Sequence, residues 1–296
     1  MGSAKVSDAF NGGLLESLSR FDLSVRIVTA SGVRGERRSK RRGQSVEYAD
    51  HREYTFGDDL RRLDWHAYAR LEQMLIRLYA AEEVLPLEVI IDLSASMDFG
   101  TPTKYVTAAR IGACLTQIAL NKGTPTRWRF AAGKSLEPVM LRGRGDLPKI
   151  LGVLDDLVPE GSSALADALR RSAQQGPRRR ALVVLTDGYD RDSIRPSLRA
   201  LRAAGTEVHL VLVLAPEETD PQERGEYTYI DSESGRESVL SLDGRTMQTY
   251  LEMLAGYRAE WTDFCRASGI AMIELSSGLT LDASLFKQLA DGGLIA

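Results

Sequence analysis

Cysteine is nearly absent from the chain: Cys114 and Cys265 are the two in 296 residues. They form no CxxC pair and each falls in a helix-patterned stretch. A disulfide framework and a thiolate zinc site are therefore excluded, and buried free thiols are expected. Histidine occurs three times, as His51, His66 and His209. No run reaches the roughly 18 apolar residues of a membrane span, and the richest, 208–215, is strand-sized. The first ten residues show no charged-then-apolar leader pattern. These absences point to a cytoplasmic protein. Net charge is only −3, so nothing draws the whole chain toward nucleic acid or membrane. GxSxG, Walker A and GxGxxG are missing too. What remains is 43% hydrophobic and 27% charged, enough for a sizeable core. The length fits one large domain with an extension, or two small ones.

Two parts differ in pattern. Residues 1–85 are weakly patterned, with a short helix over 13–19 and a strand over 74–80. Within them, residues 34–42 (RGERRSKRR) carry six basic side chains and one acid. This reads as a solvated basic loop or as an electrostatic contact for an acidic partner or nucleic acid. No aromatics interleave with the charges, which argues against base stacking. Gly57-Asp58-Asp59 marks a turn before a helix start. From residue 86 onward, apolar strands (87–93, 126–132, 181–185, 208–214, 270–275) alternate with helices (104–122, 147–157, 164–174, 193–204, 245–268, 283–290). Strands 126–132 and 136–141 flank Gly133-Lys134 as a hairpin. Strands that are apolar throughout, separated by amphipathic helices, predict a doubly wound, mostly parallel α/β sheet covered on both faces. A surface hairpin is predicted as an insertion near 226–243.

Ligand sites in such sheets lie outside the carboxyl ends of the strands. Asp92, Ser94 and Ser96 leave the first buried strand in Asp92-Leu93-Ser94-Ala95-Ser96. Alternate side chains of an extended segment point the same way, so one carboxylate and two hydroxyls should converge. Ser163 precedes a helix in GSSAL, and Asp187 follows an apolar strand in LTDG. Taken singly, these are helix caps and turn residues. Taken together they form an oxygen-only set suited to Mg²⁺, Mn²⁺ or Ca²⁺ rather than zinc.

DLSAS, GSSAL and LTDG resemble the three loops of the metal-ion-dependent adhesion site of von Willebrand factor A domains, with Ser163 where that family usually has Thr. Upstream, REYTFGDDLRRLDWHAYAR is similar to the family called domain of unknown function 58. The matching positions are Arg52, Tyr54, Gly57, Asp58, Asp59, Arg61, Asp64, Trp65, Ala69 and Arg70. The helix from Tyr250 to Cys265, with Leu254, Arg258 and Trp261, fits it as well. The resemblance implies a von Willebrand factor A-type fold and a metal held by Asp92, Ser94, Ser96, Ser163 and Asp187. It also implies association with a MoxR-type AAA+ ATPase.

Residues 52–70 read either as an internal charge network or as a docking surface built from Arg52, Tyr54, Asp58, Asp59, Arg61, Asp64, Trp65 and Arg70. The function expected is a non-enzymatic, metal-dependent adaptor that binds a client's Asp or Glu carboxylate. A metal-dependent hydrolase and a nucleic-acid binder acting through residues 34–42 are the alternatives. A hydrolase would need a general base near a metal-bound water or a second metal, and no histidine lies in the three loops.

Overall fold

The structure is a computed structural model. It describes residues 5–24, 27–28, 34–35, 48–56, 63–79, 85–134, 136–177, 179–222, 224–232 and 235–296. The chain divides into two compact units: Met1–Arg37 together with Leu85–Ala296, and Arg38–Val84. The extension expected over 1–85 is thus split. Its first part belongs to the larger unit because Val6, Leu14 and Leu18 are buried in that unit's core. Leu23 also bridges to Ile295, near the other end of the chain.

In chain order come α1 (Gly12–Leu18) and the short antiparallel pair β1 (Ile27–Val28) and β2 (Arg34–Gly35). The smaller unit holds β3 (Tyr48–Glu53), α2 (Trp65–Leu71) and β4 (Leu75–Tyr79). β3 was not expected. Its sequence, YADHRE, has little β-propensity, and its pairing with β4 makes it a strand. α2 begins at Asp64, whose carboxylate accepts from the backbone N–H groups of His66 (3.0 Å) and Ala67 (3.1 Å).

The larger unit continues with β5 (Leu87–Asp92), α3 (Lys104–Asn121), β6 (Thr126–Ala131), β7 (Val139–Leu141), α4 (Leu147–Asp156), α5 (Leu165–Gln175), β8 (Ala181–Thr186) and α6 (Arg191–Ala203). Then follow β9 (Glu207–Leu214), α7 (Pro216–Thr219), β10 (Gly225–Ile230), β11 (Glu237–Leu242), α8 (Gly244–Ser268), β12 (Ala271–Ser276) and α9 (Ala283–Asp291). The main sheet has the order β12-β9-β8-β5-β6-β7. β7 alone runs antiparallel in it. β5 and β8 are buried at every position, as a sheet with both faces covered demands.

Alternate residues of these strands enter two separate cores. Val89, Ile91, Val183 and Leu185 pack with α1, α3, α4 and α9 on one face. Ile90, Leu182 and Val184 pack with α5, α6 and α8 on the other. α3 is buried along almost its whole length. It lies close to the sheet because position 112 is Gly: a Cβ there would stand 2.5 Å from the Trp128 ring. The expected hairpin insertion is present as β10 and β11, a two-stranded sheet of its own whose residues are almost all exposed.

Chain order places β6 on one side of β5 and β8 on the other. The connections therefore diverge at the β5–β8 boundary, the switch point where open parallel sheets form a crevice.

Candidate functional site

Asp92 is the last residue of β5, and Asp187 follows the last residue of the neighbouring β8. Both are 2% exposed. The pairing of Ile91 with Leu185 puts Asp92 beside Thr186, whose hydroxyl donates to Asp92 Oδ2 at 2.7 Å. The Ser94 backbone N–H donates to Asp92 Oδ1 at 3.0 Å. Beyond Ser94 the chain does not stay extended but turns into a 3-10 helix over Ala95–Asp98. The hydroxyls of Ser94 and Ser96 nevertheless meet, at 3.1 Å. A tight turn, and not strand alternation, brings them together.

The second loop is stitched to the first by backbone bonds. Ala95 N–H donates to Gly161 O (2.8 Å), and Glu160 N–H donates to Leu93 O (2.9 Å). Gly161 has φ +71°, a conformation that favours glycine. Ser163 follows two residues on, partly exposed, its Oγ accepting from Leu165 N–H at 3.4 Å.

The third loop is clamped from α8. Tyr257 OH donates to Asp187 O, and Trp261 Nε1 donates to Gly188 O at 3.3 Å. A Cβ at position 188 would lie within 3 Å of Leu212, Tyr257 and Trp261, so the loop must carry glycine there. The three loops predicted to share one edge are therefore adjacent in the larger unit.

Burial, and next the neighbouring Asp187 charge, push the Asp92 carboxyl up to about 6, against the pull of its hydrogen bonds from Thr186 and Ser94. Two carboxylates have been taken out of water side by side, with three serine hydroxyls on the adjoining loops. Among the described residues no group of three His, Cys, Asp or Glu side chains is arranged to hold a metal. An ion here would need the hydroxyls as well as the two aspartates. That donor set fits a hard divalent cation, and the shortage of positive charge beside Asp92 gives one a reason to bind.

Sequence reasoning missed Lys104, Glu218 and Thr186. Lys104 opens α3 and is 1% exposed. Its Nζ donates to Asp187 Oδ2 at 2.9 Å and to Glu218 Oε1 at 2.7 Å. It also lies 4.9 Å from the centre of the Tyr189 ring and 5.8 Å from that of Phe99. Glu218, on α7, also accepts from Tyr189 OH (3.0 Å) and from Ala215 N–H (2.7 Å). One signal was available: a lysine in the first turn of an apolar helix sits at the end where the dipole disfavours cations.

The residues considered for docking belong to the smaller unit. Tyr54 N–H donates to Met74 O at 2.8 Å, and Asp64 caps α2. Trp65 is 62% exposed, its ring edge-on to Tyr68, and Arg70 is exposed. Asp58, Asp59 and Arg61, the side chain of Arg52 and residues 36–42 of the basic segment lie outside what the structure describes. His51 and His66 are in the smaller unit too, and His209 is buried within β9.

A doubly wound sheet with three oxygen-bearing loops at its switch point defines a von Willebrand factor A-like protein. The chain belongs to the family described as "Protein of unknown function DUF58", which matches residues 50–259. It is 28% identical over 276 residues to the uncharacterized protein Rv1480 of Mycobacterium tuberculosis, covering 88% of this chain and 84% of that one. The uncharacterized protein Mb1516 of Mycobacterium bovis matches to the same extent. Among solved structures, BatB of Bacteroides thetaiotaomicron aligns with 70% of this chain and 98% of its own, at 13% identity and TM-score 0.41. The SpRpn10 VWA domain aligns with 69% and 95%, at 13% identity and TM-score 0.38. At such scores the fold assignment rests on strand order and loop placement. No helix among the described residues is long and apolar enough to cross a membrane.

Proposed function

We propose that this protein is a metal-dependent protein-binding adaptor. Asp92, Ser94, Ser96, Ser163 and Asp187 would hold Mg²⁺, or Mn²⁺ or Ca²⁺. The bound ion supplies an electrophilic position for a partner's Asp or Glu carboxylate. Mg²⁺ takes six oxygens, and five side chains leave a place for one from outside. The observation that carries this reading is the buried Asp92–Asp187 pair beside the Ser94 and Ser96 hydroxyls, an acidic centre short of cations.

The chain's own residues orient these donors. Thr186 and the Ser94 N–H fix the Asp92 carboxylate, and Tyr257 and Trp261 fix the third loop. Because none of the three loops carries a histidine, we favour binding over hydrolysis. Cooperation with a MoxR-type AAA+ ATPase in assembling or maturing client proteins follows from family resemblance, and the smaller unit, with exposed Trp65, is the candidate docking element.

Two measurements test this. Calorimetric titration of metal-free protein with Mg²⁺ and Mn²⁺ should show one site, lost in Asp92→Asn. A pull-down with a MoxR-type ATPase from the same organism should recover a complex that weakens in EDTA and in Asp92→Asn. A folded protein that binds no divalent ion sinks the proposal.

A further inference from the structure

Lys104 is the one fully buried ammonium among the described residues, and it stands against Asp187, one of the five proposed metal ligands. Its environment is closed. It occupies the first turn of α3, immediately after the loop that carries Ser94 and Ser96. Its backbone N–H is held by Phe99 O at 2.9 Å, and its head is enclosed by Asp187, Glu218, Tyr189 and Phe99. Glu218 is 12% exposed and is held in turn by the Ala215 N–H and the Tyr189 hydroxyl. Asp187 therefore shares one oxygen, Oδ2, with a permanent internal cation, while among the described residues Oδ1 meets only the long 3.4 Å contact from Tyr189 N–H.

We propose that Lys104 is a resident counter-cation of the metal site that sets how much positive charge the site accepts. This inference rests on the metal-binding reading above. Asp92, Asp187 and Glu218 carry three negative charges and Lys104 one positive. The linked cluster is left with two negative charges, the number that one divalent cation cancels. The ammonium repels any ion that enters, and Glu218 holds it in place and offsets part of that repulsion. Coulomb repulsion grows in proportion to the charge of the entering ion. Lys104 therefore weakens trivalent ions more than divalent ones and keeps divalent binding reversible.

The test uses the full chain and two probes, Mg²⁺ by calorimetry and Tb³⁺ by sensitised luminescence. The proteins are wild type, Lys104→Met, Glu218→Gln and the double variant, each checked for folding by circular dichroism. Removing one unit charge a few ångströms from the ion should tighten Mg²⁺ binding about tenfold in Lys104→Met. The Tb³⁺ gain should be about thirtyfold, half as large again on a logarithmic scale. Glu218→Gln should weaken both ions, and the double variant should return close to wild type.

A folded Lys104→Met protein with unchanged or weaker Mg²⁺ affinity overturns the inference, because a purely structural lysine predicts that result. If Lys104→Met does not fold, Glu218→Gln decides: unchanged or tighter binding overturns the proposal, and weaker binding supports it. Absence of binding in wild type and every variant overturns the metal reading itself. Binding by Lys104→Met alone would keep Lys104 as counter-cation and remove the metal-dependent function.

Discussion

Two buried charge clusters lie at opposite ends of the same strand. Glu88 and Asp92 are four residues apart on β5 and share a face with Ile90 between them, and each is 2% exposed. At the Glu88 end the carboxylate meets two guanidinium groups. Oε1 accepts from Arg129 Nε at 2.6 Å, Oε2 accepts from Ser172 Oγ at 2.8 Å, and Arg180 Nε lies 2.6 Å from Oε2. Arg129 Nη1 donates to Gln175 Oε1, and the two terminal nitrogens of Arg180 donate to Pro177 O and to Ser172. At the Asp92 end no cation among the described residues touches the carboxylate, which takes the Thr186 and Ser94 hydroxyls and the Ser94 backbone N–H, and burial displaces its pKa to about 6. A carboxylate saturated with guanidinium groups serves the fold. One left short of positive charge, at the sheet's switch point, is available for a ligand.

The largest expected effect falls at the saturated end. Glu88→Ala leaves Arg129 and Arg180 buried without their carboxylate and should cost about 3–5 kcal/mol in urea denaturation. Divalent-ion affinity of the folded fraction should not change. If the loss is under about 1 kcal/mol, the contrast between the two ends collapses.

Next in size is the Asp92 end, where the sign reverses. A carboxyl raised from 3.8 to about 6 binds more protons folded than unfolded between those values. Stability of the metal-free protein should therefore fall as pH rises from about 4 to about 6, by up to about 3 kcal/mol from this group. Above pH 6 the full penalty persists, and saturating Mg²⁺ should offset it. Asp92→Asn removes the penalty, so it should stabilise the metal-free protein at pH 8 by about 1–2 kcal/mol while abolishing ion binding. A destabilised Asp92→Asn would mean that the carboxylate is satisfied as it stands.

Thr186→Val should act more gently. It removes the hydroxyl that donates to Asp92 Oδ2, costing about 1 kcal/mol. The Asp92 carboxyl should rise further, so Mg²⁺ affinity should drop at pH 6 more than at pH 8, and calorimetry at the two pH values separates the cases.

The smallest effect is expected on the exposed hairpin. Val239 is 71% exposed on β11. Val239→Thr should shift stability by less than about 0.5 kcal/mol and leave ion binding untouched.

Much of the fold was legible because buried parallel strands announce themselves. LEVIID, ALVVLT and EVHLVLVL are mostly apolar runs of strand length, and most helices between them show one apolar face. β3 escaped because a polar segment becomes a strand only through its partner. The site was legible in part. Asp92, Ser94 and Ser96 lie within one short stretch, while Ser163 and Asp187 needed the rule that parallel strands end at a common edge. Glu218 gave no local sign, and the position of Lys104 at a helix start was the only hint of its role.

The order of residues alone determined the layered α/β plan, the three oxygen-bearing loops and their shared edge, because hydrophobic period and turn chemistry are local properties. Tertiary structure alone decided which charges meet. Lys104 reaches Asp187 across 83 positions of the chain and Glu218 across 114. Whether a buried carboxylate is neutralised depends on distance through space, and that distance exists only once the sheet has formed.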